Sequence, residues 1–548
     1  IRRCTFDGSK AAAECPVTTT SAGKVVVEVC TFANLNTDYV VNMNNKNGGK
    51  TEVSVKGCSF TSCGAAGKEV VRLTGEAEGS EVVAELDGLT FDETSKANAV
   101  IVGNKKTANN NASVRYTISK TTGTLNVYKQ GATTAETTTL DATAEQPYTG
   151  NNAAAVAQVG ETKYATLAEA IAAADAGATV QLIADTKENV TIAKKLTLDL
   201  NGFTLNGGTE KGKPALLVTA KVTVKDSSTD RAGTIKREDT AVNSGNGSHY
   251  VIDIQGDGWL TFESGKVTNG SGNADRSRGA SLVRVGDDSV AKYPGLNIKG
   301  GTFTQDNFIV IKVDRGDLFL NGGTLTSANS YVIENWHRTT IKGGTANGAV
   351  AAWTYSDGAN SSLKISGGTI DGDVTAVNYG NAEGKTAKVE ISGGRVNGNL
   401  DTCSYDPKTG DLASITDAEK AAIAVSGGTF NQAVDGKYCA DGFTPLRNTD
   451  GTYGVEQQVL AKIGDTEYYT MDAAFHAVKA GETIVLQRDY TTSSEQNSGN
   501  DSFTIDLNNH TWAYTGSDVE SAAFEINYAN VTLTVKNGKV VSASMLGL

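Results

Sequence analysis

Aromatic and charged side chains recur in the middle of the chain at matched positions. Tyr355, Tyr379 and Tyr405 each lie seven residues after the glycine of an Asn-Gly or Asp-Gly pair, and counting back places His337 and Arg315 in the same column. Rings aligned on one face can stack on sugar rings, while polar groups between them hold hydroxyls. The pattern therefore predicts a strip of side chains that could bind an extended sugar chain. The strip consists of Arg315, Trp336, His337, Trp353, Tyr355, Tyr379 and Tyr405.

The same strip has a purely structural interpretation. Like residues stack on one another in any repeat protein whose units lie in register, and a tyrosine ladder stiffens one wall without binding anything. The sequence leaves both interpretations open.

Three carboxylates near the strip are candidates for catalysis. A glycosidase needs two carboxylates roughly 5 to 10 Å apart, and Asp314 with Glu334 or Asp357 could lie one or two repeats apart. An acidic repeat protein also offers such pairs by chance, so the pattern favours a role without catalysis. The four histidines form no motif and no CxxC spacing occurs, so we predict neither a metal site nor a cofactor.

The strip lies among short repeats of one phrase, an alternating apolar and polar run followed by Gly-Gly-Thr. Repeats of 20 to 35 residues with strand-like alternation and no helix-length stretch predict a parallel β-helix, in which successive coils stack about 4.8 Å apart. In Leu363-Lys-Ile-Ser366 the two apolar side chains would point inward and the two polar ones outward. The second glycines of the six copies are Gly301, Gly323, Gly344, Gly368, Gly394 and Gly428.

The first 125 residues repeat a different phrase, a cysteine or leucine followed by Thr or Ser and then phenylalanine. We expect the first positions to form one inward ladder and the phenylalanines a second. The cysteines then fill the core as small apolar groups, although Cys403 with Cys439, or Cys58 with Cys63, could form a disulfide. The two predicted ladders are Cys4, Cys30, Cys58 and Leu89, and Phe6, Phe32, Phe60 and Phe91.

One module opening occurs twice. Thr166-Leu-Ala-Glu169 is a capping box that predicts a short helix over residues 167–176, covering the end of the first coil. The same opening returns at an offset of 304, and the recurrence of Asp199 as Asp506 indicates a carboxylate that closes a turn. The predicted domains are 1–125, the C-terminal part of a β-helix; 126–160, a closing segment or linker; 161–454, a complete module with a cap helix; and 455–548, the start of a further module.

These motifs carry a resemblance. The opening YATLAEAIAAADAGATVQLIADT with LTLDLNGFTL, followed by ISGGTF-like coils, resembles the right-handed parallel β-helix modules of large bacterial surface proteins, which have pectin-lyase-like folds. The resemblance implies an all-β protein of tandem right-handed β-helix modules, each opened by a short helix. It does not choose a function, because that superfamily includes lyases, glycosidases, tailspikes and adhesins.

Composition limits the partners. A formal net charge of −13 makes generic nucleic-acid binding unfavourable, and no apolar run has the length of a membrane span. We therefore predict a structural or adhesive rod on a bacterial cell surface or in an extracellular filament. Its expected partners are glycans, a host or neighbouring cell surface, or further copies in end-to-end assembly. The alternative is a β-helix protein that binds or cleaves polysaccharide.

Overall fold

The structure is a computed structural model with strands through most of its length. α-Helix among the described residues is confined to Leu167–Ala173 and Met471–Ala477, and 3-10 helix to Lys96–Asn98 and Gly436–Tyr438. The expected all-β class is therefore confirmed. The chain separates into two compact units, Ile1–Ala170 and Ile171–Leu548. The structure describes residues 1–10, 15–64, 69–77, 80–103, 113–130, 132–210, 212–238, 250–269, 281–287, 292–305, 308–354, 360–380, 382–497, 499–516 and 522–542.

The first unit is built from three parallel sheets in which each strand pairs with the strand three places later along the chain. Thus β1, β4, β7 and β10 form one sheet; β2, β5, β8 and β11 begin a second, and β3, β6, β9 and β12 a third. The strands, numbered β1 to β17, are Thr5–Asp7, Val17–Thr19, Gly23–Glu28, Thr31–Ala33, Val41–Asn45, Lys50–Lys56, Ser59–Thr61, Val71–Gly75, Glu81–Asp87, Thr90–Phe91, Val100–Val102, Ser113–Ser119, Gly123–Val127, Glu136–Leu140, Tyr148–Asn151, Ala157–Val159 and Thr162–Tyr164.

Both predicted ladders of this unit are present in the core, with one exception. Neighbouring phenylalanine rings lie 4.9, 5.0 and 4.8 Å apart, within 8° of parallel, in the order Phe6, Phe32, Phe60 and Phe91. Cys30, Cys58 and Leu89 are buried, whereas Cys4 is exposed, so its expected inward position is wrong. The phenylalanines of β1, β4, β7 and β10 lie directly opposite one another in the register. Their ring centroids are therefore separated by about the distance between neighbouring strands.

The pattern changes at residues 136–151, inside the predicted closing segment. There β14 and β15 pair antiparallel with β13 and β12. Antiparallel strands occupy edges that a further parallel strand would otherwise take.

The second unit also pairs the strands of successive repeats in parallel, over a longer stretch and with partners two or three places apart along the chain. One sheet contains β18, β21, β24, β27, β30, β33, β35, β37, β39 and β42 in parallel succession. Its strands, numbered β18 to β54, are Thr179–Leu182, Thr186–Lys187, Val190–Ile192, Leu196–Asp199, Thr204–Asn206, Leu216–Val218, Lys221–Lys225, Thr234–Lys236, Ile252–Ile254, Trp259–Phe262, Lys266–Thr268, Val283–Val285, Gly295–Ile298, Thr302–Thr304, Ile311–Val313, Asp317–Leu320, Thr324–Asn335, Arg338–Ile341, Thr345–Thr354, Ser361–Ile370, Val374–Tyr379, Ala387–Val396, Leu400–Tyr405, Leu412–Ser414, Ala421–Phe430, Phe443–Arg447, Tyr453–Gln457, Ala461–Ile463, Thr466–Tyr468, Thr483–Leu486, Tyr490–Thr492, Gln496–Asn497, Phe503–Asp506, Thr511–Tyr514, Phe524–Glu525, Leu533–Lys536 and Lys539–Ser542.

The Gly-Gly phrase behaves as its alternation predicts. Leu363 and Ile365 are buried, while Lys364 and Ser366 are exposed. Gly368 has φ +79°, a conformation that favours glycine, and equivalent glycines of the other copies also have positive φ. A Cβ on the preceding Gly367 would lie 2.3 Å from the carbonyl oxygen of Lys342 in the neighbouring repeat. The glycine pair is therefore required both by the turn and by the close approach of repeats.

The two module openings agree at the level of hydrogen bonds. Asp199 accepts from the backbone N–H of Asn201 at 3.1 Å, and Asp506 accepts from that of Asn508 at 2.9 Å. Both asparagines have φ +47°. The recurrent aspartates close turns, as predicted.

The first helix has the predicted start but a different end. The Thr166 hydroxyl accepts from the Glu169 N–H at 3.0 Å, and the Glu169 carboxylate accepts from the Thr166 N–H at 3.2 Å, which completes a capping box. The helix ends at Ala173 rather than at residue 176, because a turn closes from Asp175 to Ala178.

The phenylalanine column gives a test of the stacked core. Phe60→Ala removes a fully buried ring that contacts rings on both sides, and we expect it to lower the free energy of unfolding by about 3–5 kcal/mol. Val29→Gly is a control of opposite sign, because Val29 is 60% exposed and strained at φ +54°. It should raise the free energy of unfolding by about 1 kcal/mol. Chemical denaturation followed by circular dichroism measures both, and equal effects would contradict the stacked column.

Candidate functional site

The outer face of one sheet in the second unit carries the polar and aromatic residues of interest. In this sheet β32, β34, β36, β38 and β40 pair in parallel, so that outward side chains of successive repeats lie in columns. One column consists of Lys312, Glu334, Ala351, Thr375 and Asp401. The next contains Trp353, Val377 and Cys403, and the last pairs Tyr379 with Tyr405.

Five rings on this face form one cluster outside the sheet, here called the aromatic patch: Tyr331, Trp336, Trp353, Tyr379 and Tyr405. Trp336 and Trp353 stack at 5.4 Å, Tyr379 and Tyr405 stack at 5.1 Å, and Trp353 meets Tyr405 edge-on at 5.5 Å. Trp353 is only 6% exposed. Because the rings cover one another's faces, the patch is mainly a packed wall, and the two stacked tyrosines have no room for a sugar ring between them.

The structure places Tyr379 opposite Tyr405, as the alignment predicted, but shifts the earlier members. The alignment put His337 in the tyrosine column and Trp336 beside Thr354. The observed register pairs Asn335 with Ala352, so Trp336 falls next to Trp353. The strand pair β34–β36 contains register irregularities, which counting from the glycines could not reveal. Tyr355 and Asp357 lie outside the described residues.

His337 and Arg315 leave the predicted strip altogether. His337 is 7% exposed, and its Nδ1 donates to the Gly316 carbonyl at 2.8 Å. Burial lowers the pKa of His337, so the ring is held neutral. It stacks on Tyr293 at 4.9 Å, and the guanidinium of Arg315 lies over the same ring at 5.6 Å. These residues form a separate corner cluster.

The carboxylates proposed for catalysis belong to a mixed ion cluster. Asp314 pairs with Lys312 at 3.0 Å, and Glu334 accepts from the Trp336 indole N–H at 2.8 Å. Burial raises the pKa of Glu334, although Lys312 and the indole oppose it. Burial acts to lower the pKa of Lys312, but the charges of Asp314 and Glu334 outweigh it and raise the pKa. This arrangement is that of a structural ion pair beside the aromatic patch.

The disulfide considered between Cys403 and Cys439 is absent, since both are free thiols. Each sulfur has its own partner: Cys403 donates to the Asp401 carboxylate at 3.3 Å, and Cys439 lies 4.0 Å from the Asp435 carbonyl. Burial, followed by the neighbouring Asp401, raises the pKa of Cys403 to about 12, so this thiol stays protonated. Cys58 and Cys63 are also free.

A groove of about 790 Å³, here called the lateral groove, lies beside the aromatic patch. It crosses four successive repeats, from Tyr331 past Ala349 and Asp373 to Asn399, and the short strand β41 borders its far end. Its polar lining also includes Asn329, Thr375, Asp401 and Ser414.

The groove exists because its floor lacks side-chain volume. Gly348 and Gly372 line it, and a Cβ on Gly372 would lie 2.3 Å from the carbonyl carbon of Gly348. A Cβ on Gly398 would meet Gly372 at the same distance. Ala349 continues this low floor, whereas the neighbouring columns carry tryptophan and tyrosine. Larger side chains are therefore excluded from the floor by the close stacking of repeats.

Polar groups at the floor are held in place by neighbouring repeats. Asp373 accepts from the backbone N–H of Asn399 at 2.8 Å. Asp401 accepts from the Ser414 hydroxyl at 2.7 Å and from the Tyr438 hydroxyl at 3.3 Å. These bonds, with those from Cys403 and Thr402, outweigh burial and lower the pKa of Asp401. Asp401 is therefore ionised at neutral pH, and hydrogen bonds hold both carboxylates in place.

The strip predicted from the sequence does not include the groove or its main lining residues, which are Tyr331, Asp373, Thr375, Asn399, Asp401 and Ser414. A signal for two of them was present: an acidic or amide residue follows the glycine of both Asp371-Gly372 and Asn397-Gly398. Ser414 had no such signal, because it reaches Asp401 through the antiparallel pairing of β40 and β41.

No family model, curated protein or solved structure matches the chain. The resemblance to bacterial β-helix modules therefore stays a prediction from its motifs. Within the described ranges, neither helix is long and apolar enough to cross a membrane. In the same part of the chain, His, Cys, Asp and Glu side chains form no cluster of three that could hold a metal ion.

The ion cluster predicts a pH dependence. The pKa of Glu334 is raised above its ordinary value of 4.5, so the folded protein loses stability as pH rises from about 4.5 through the raised pKa. Glu334→Gln removes this titration, and the variant should gain stability relative to wild type across that window. Unfolding free energies measured at several pH values give the difference.

Glu390→Gln is the matched control. Its hydrogen bonds from Lys388 and Lys364 outweigh partial burial and lower the pKa of Glu390. Wild type therefore loses that stabilisation as pH falls through the lowered pKa. The control should lose stability relative to wild type as pH rises. Parallel trends in the two variants would contradict the assigned environments.

Proposed function

We propose that the chain is a rigid structural rod, built of tandem right-handed parallel β-helix modules, in a bacterial cell-surface protein or extracellular filament. The short helices would cap the modules. Adhesion to glycans, to a cell surface or to further copies would be the use of such a rod.

One observation carries the proposal. A single inward column passes through ten strands of one sheet with direct register at every step, and each member is at most 1% exposed. Main-chain hydrogen bonds join each repeat to the next along this column, which supports a stiff quasi-one-dimensional stack. The column is Val180, Leu198, Val224, Phe262, Ile298, Leu320, Ile341, Ile365, Ile391 and Val425.

The polar outer surface of the repeats is what a spacer exposed to solvent requires. Ion pairs link outward side chains of neighbouring repeats, as between Lys364 and Glu390 at 3.1 Å and between Lys299 and Glu263 at 3.3 Å. Exposed pairs of this kind contribute little stability, but they keep the face polar. The polar residues that the two module openings share, such as Thr166 with Thr470 and Asp199 with Asp506, cap helices and close turns, which favours repetition of structure rather than of chemistry.

A spacer tolerates a change in length, which gives the test. Residues 371–396 constitute one repeat, because Ile370 stands opposite Val396 in the register. Removal of these residues should leave a folded protein with a lower free energy of unfolding. An antibody should still detect that protein on intact bacterial cells. Removal of residues 371–383 cuts half a repeat and should abolish folding and surface display. Equal behaviour of the two deletions, or labelling only after cell lysis, would contradict the proposal.

A further inference from the structure

We propose that the lateral groove binds a neutral oligosaccharide that runs along the stack of repeats. The groove continues past four repeats, and three steps of about 4.8 Å give it a length of roughly 14 Å between Tyr331 and Asn399. This length suits a short run of sugar rings. The inference rests on the proposed function and deepens it, because it gives the proposed adhesion to glycans a site and a ligand class.

The direction of the groove disfavours a peptide added as a strand. Such a peptide lies parallel to the strands and pairs with a free edge. The floor strands β36 and β38 are paired on both sides, and β40 is paired with β38 and β41. The ligand must therefore cross the strands and bind through side chains and ring faces.

The charge of the groove selects the ligand class. The carboxylates of Asp373 and Asp401 line the groove, and the described residues of its lining include no lysine or arginine. Phosphates and acidic sugars are repelled by this lining. Oδ1 of Asp373 and both carboxylate oxygens of Asp401 already accept hydrogen bonds from neutral protein N–H and O–H groups, and hydroxyl groups of a sugar are neutral donors of the same kind.

The hydroxyl of Thr375, which has no hydrogen-bond partner in the described part of the chain, is the feature of the groove that most favours a bound ligand. Thr375 lines the groove, and its buried Oγ1 has no hydrogen-bond partner among the described residues. A buried polar atom left unpaired costs stability, so such atoms in a native structure are associated with function. A second orphan, the indole N–H of Trp353, lies in the adjoining aromatic patch.

Apolar contacts are available at both ends of the groove. Tyr331 borders one end, and Leu412 on β41 borders the other with 49% of its surface exposed. Polar groups on the floor with apolar groups at the ends match an oligosaccharide, which has hydroxyls at its rim and apolar C–H faces.

The first arm of the test compares ligands on the full chain. Hexamers of glucose, mannose, galactose and N-acetylglucosamine are titrated by calorimetry beside oligogalacturonate and oligoglucosamine. We expect at least one neutral hexamer to bind and the acidic oligomer not to bind. Binding of none of the neutral hexamers, or tighter binding of a charged one, would overturn the inference. Neither result affects the rod, which the deletion pair tests separately.

The second arm locates the site. Thr375→Val removes the orphan hydroxyl while keeping the side-chain shape, so it should weaken binding about 2- to 10-fold and leave folding intact or more stable. Ala349→Trp fills the floor and should abolish binding, with circular dichroism as the check on folding. Thr340→Val is the matched control, because Thr340 lies on β35, is partly exposed and does not line the groove. Unchanged affinity in Thr375→Val and in a folded Ala349→Trp would overturn the assignment.

Discussion

Parallel main-chain hydrogen bonding between equivalent residues of successive repeats is the constraint on which the rest of the structure depends. It fixes every residue against its counterpart at about 4.8 Å. A side chain in such a stack therefore has a neighbour of its own kind or one that must fit it closely. The phenylalanine column shows the favourable case, with rings stacked within 8° of parallel.

The same constraint shapes the outer face. Where successive repeats present large rings, as at Trp353 and Tyr405, the rings cover one another and form a wall. Where they present glycine and alanine, as at Gly372 and Ala349, a depression is left between repeats. The lateral groove and the aromatic patch are thus neighbouring results of one rule: large side chains fill the patch, and small ones leave the groove open.

Much of this could be predicted from local pattern. The alternation in Leu363-Lys-Ile-Ser366 set inward and outward faces, and the glycine pairs marked turns that the structure confirms at Gly368. The capping box at Thr166 predicted the helix start. These features depend on residues adjacent in sequence, so a single chain reveals them.

The remaining features depend on register between repeats of unequal length. A shift of one residue in the β34–β36 pair moved Trp336 beside Trp353 and buried His337 against Gly316. The groove also needs β41 to fold back on β40, which brings Ser414 to Asp401. No local pattern encodes that contact, because it joins residues from a hairpin whose pairing the repeat does not predict.

The stacking itself is tested most directly by distances measured along one column. Thr223, Thr340 and Ala424 belong to one outward column, in which Thr340 lies four repeats after Thr223 and Ala424 lies seven repeats after it. Spin labels introduced there through an unnatural amino acid, which avoids the seven cysteines, can be measured in pairs by electron resonance. Parallel stacking of the repeats predicts about 19 Å from Thr223 to Thr340 and about 34 Å from Thr223 to Ala424. Distances that fail to increase in proportion to the number of repeats would contradict it.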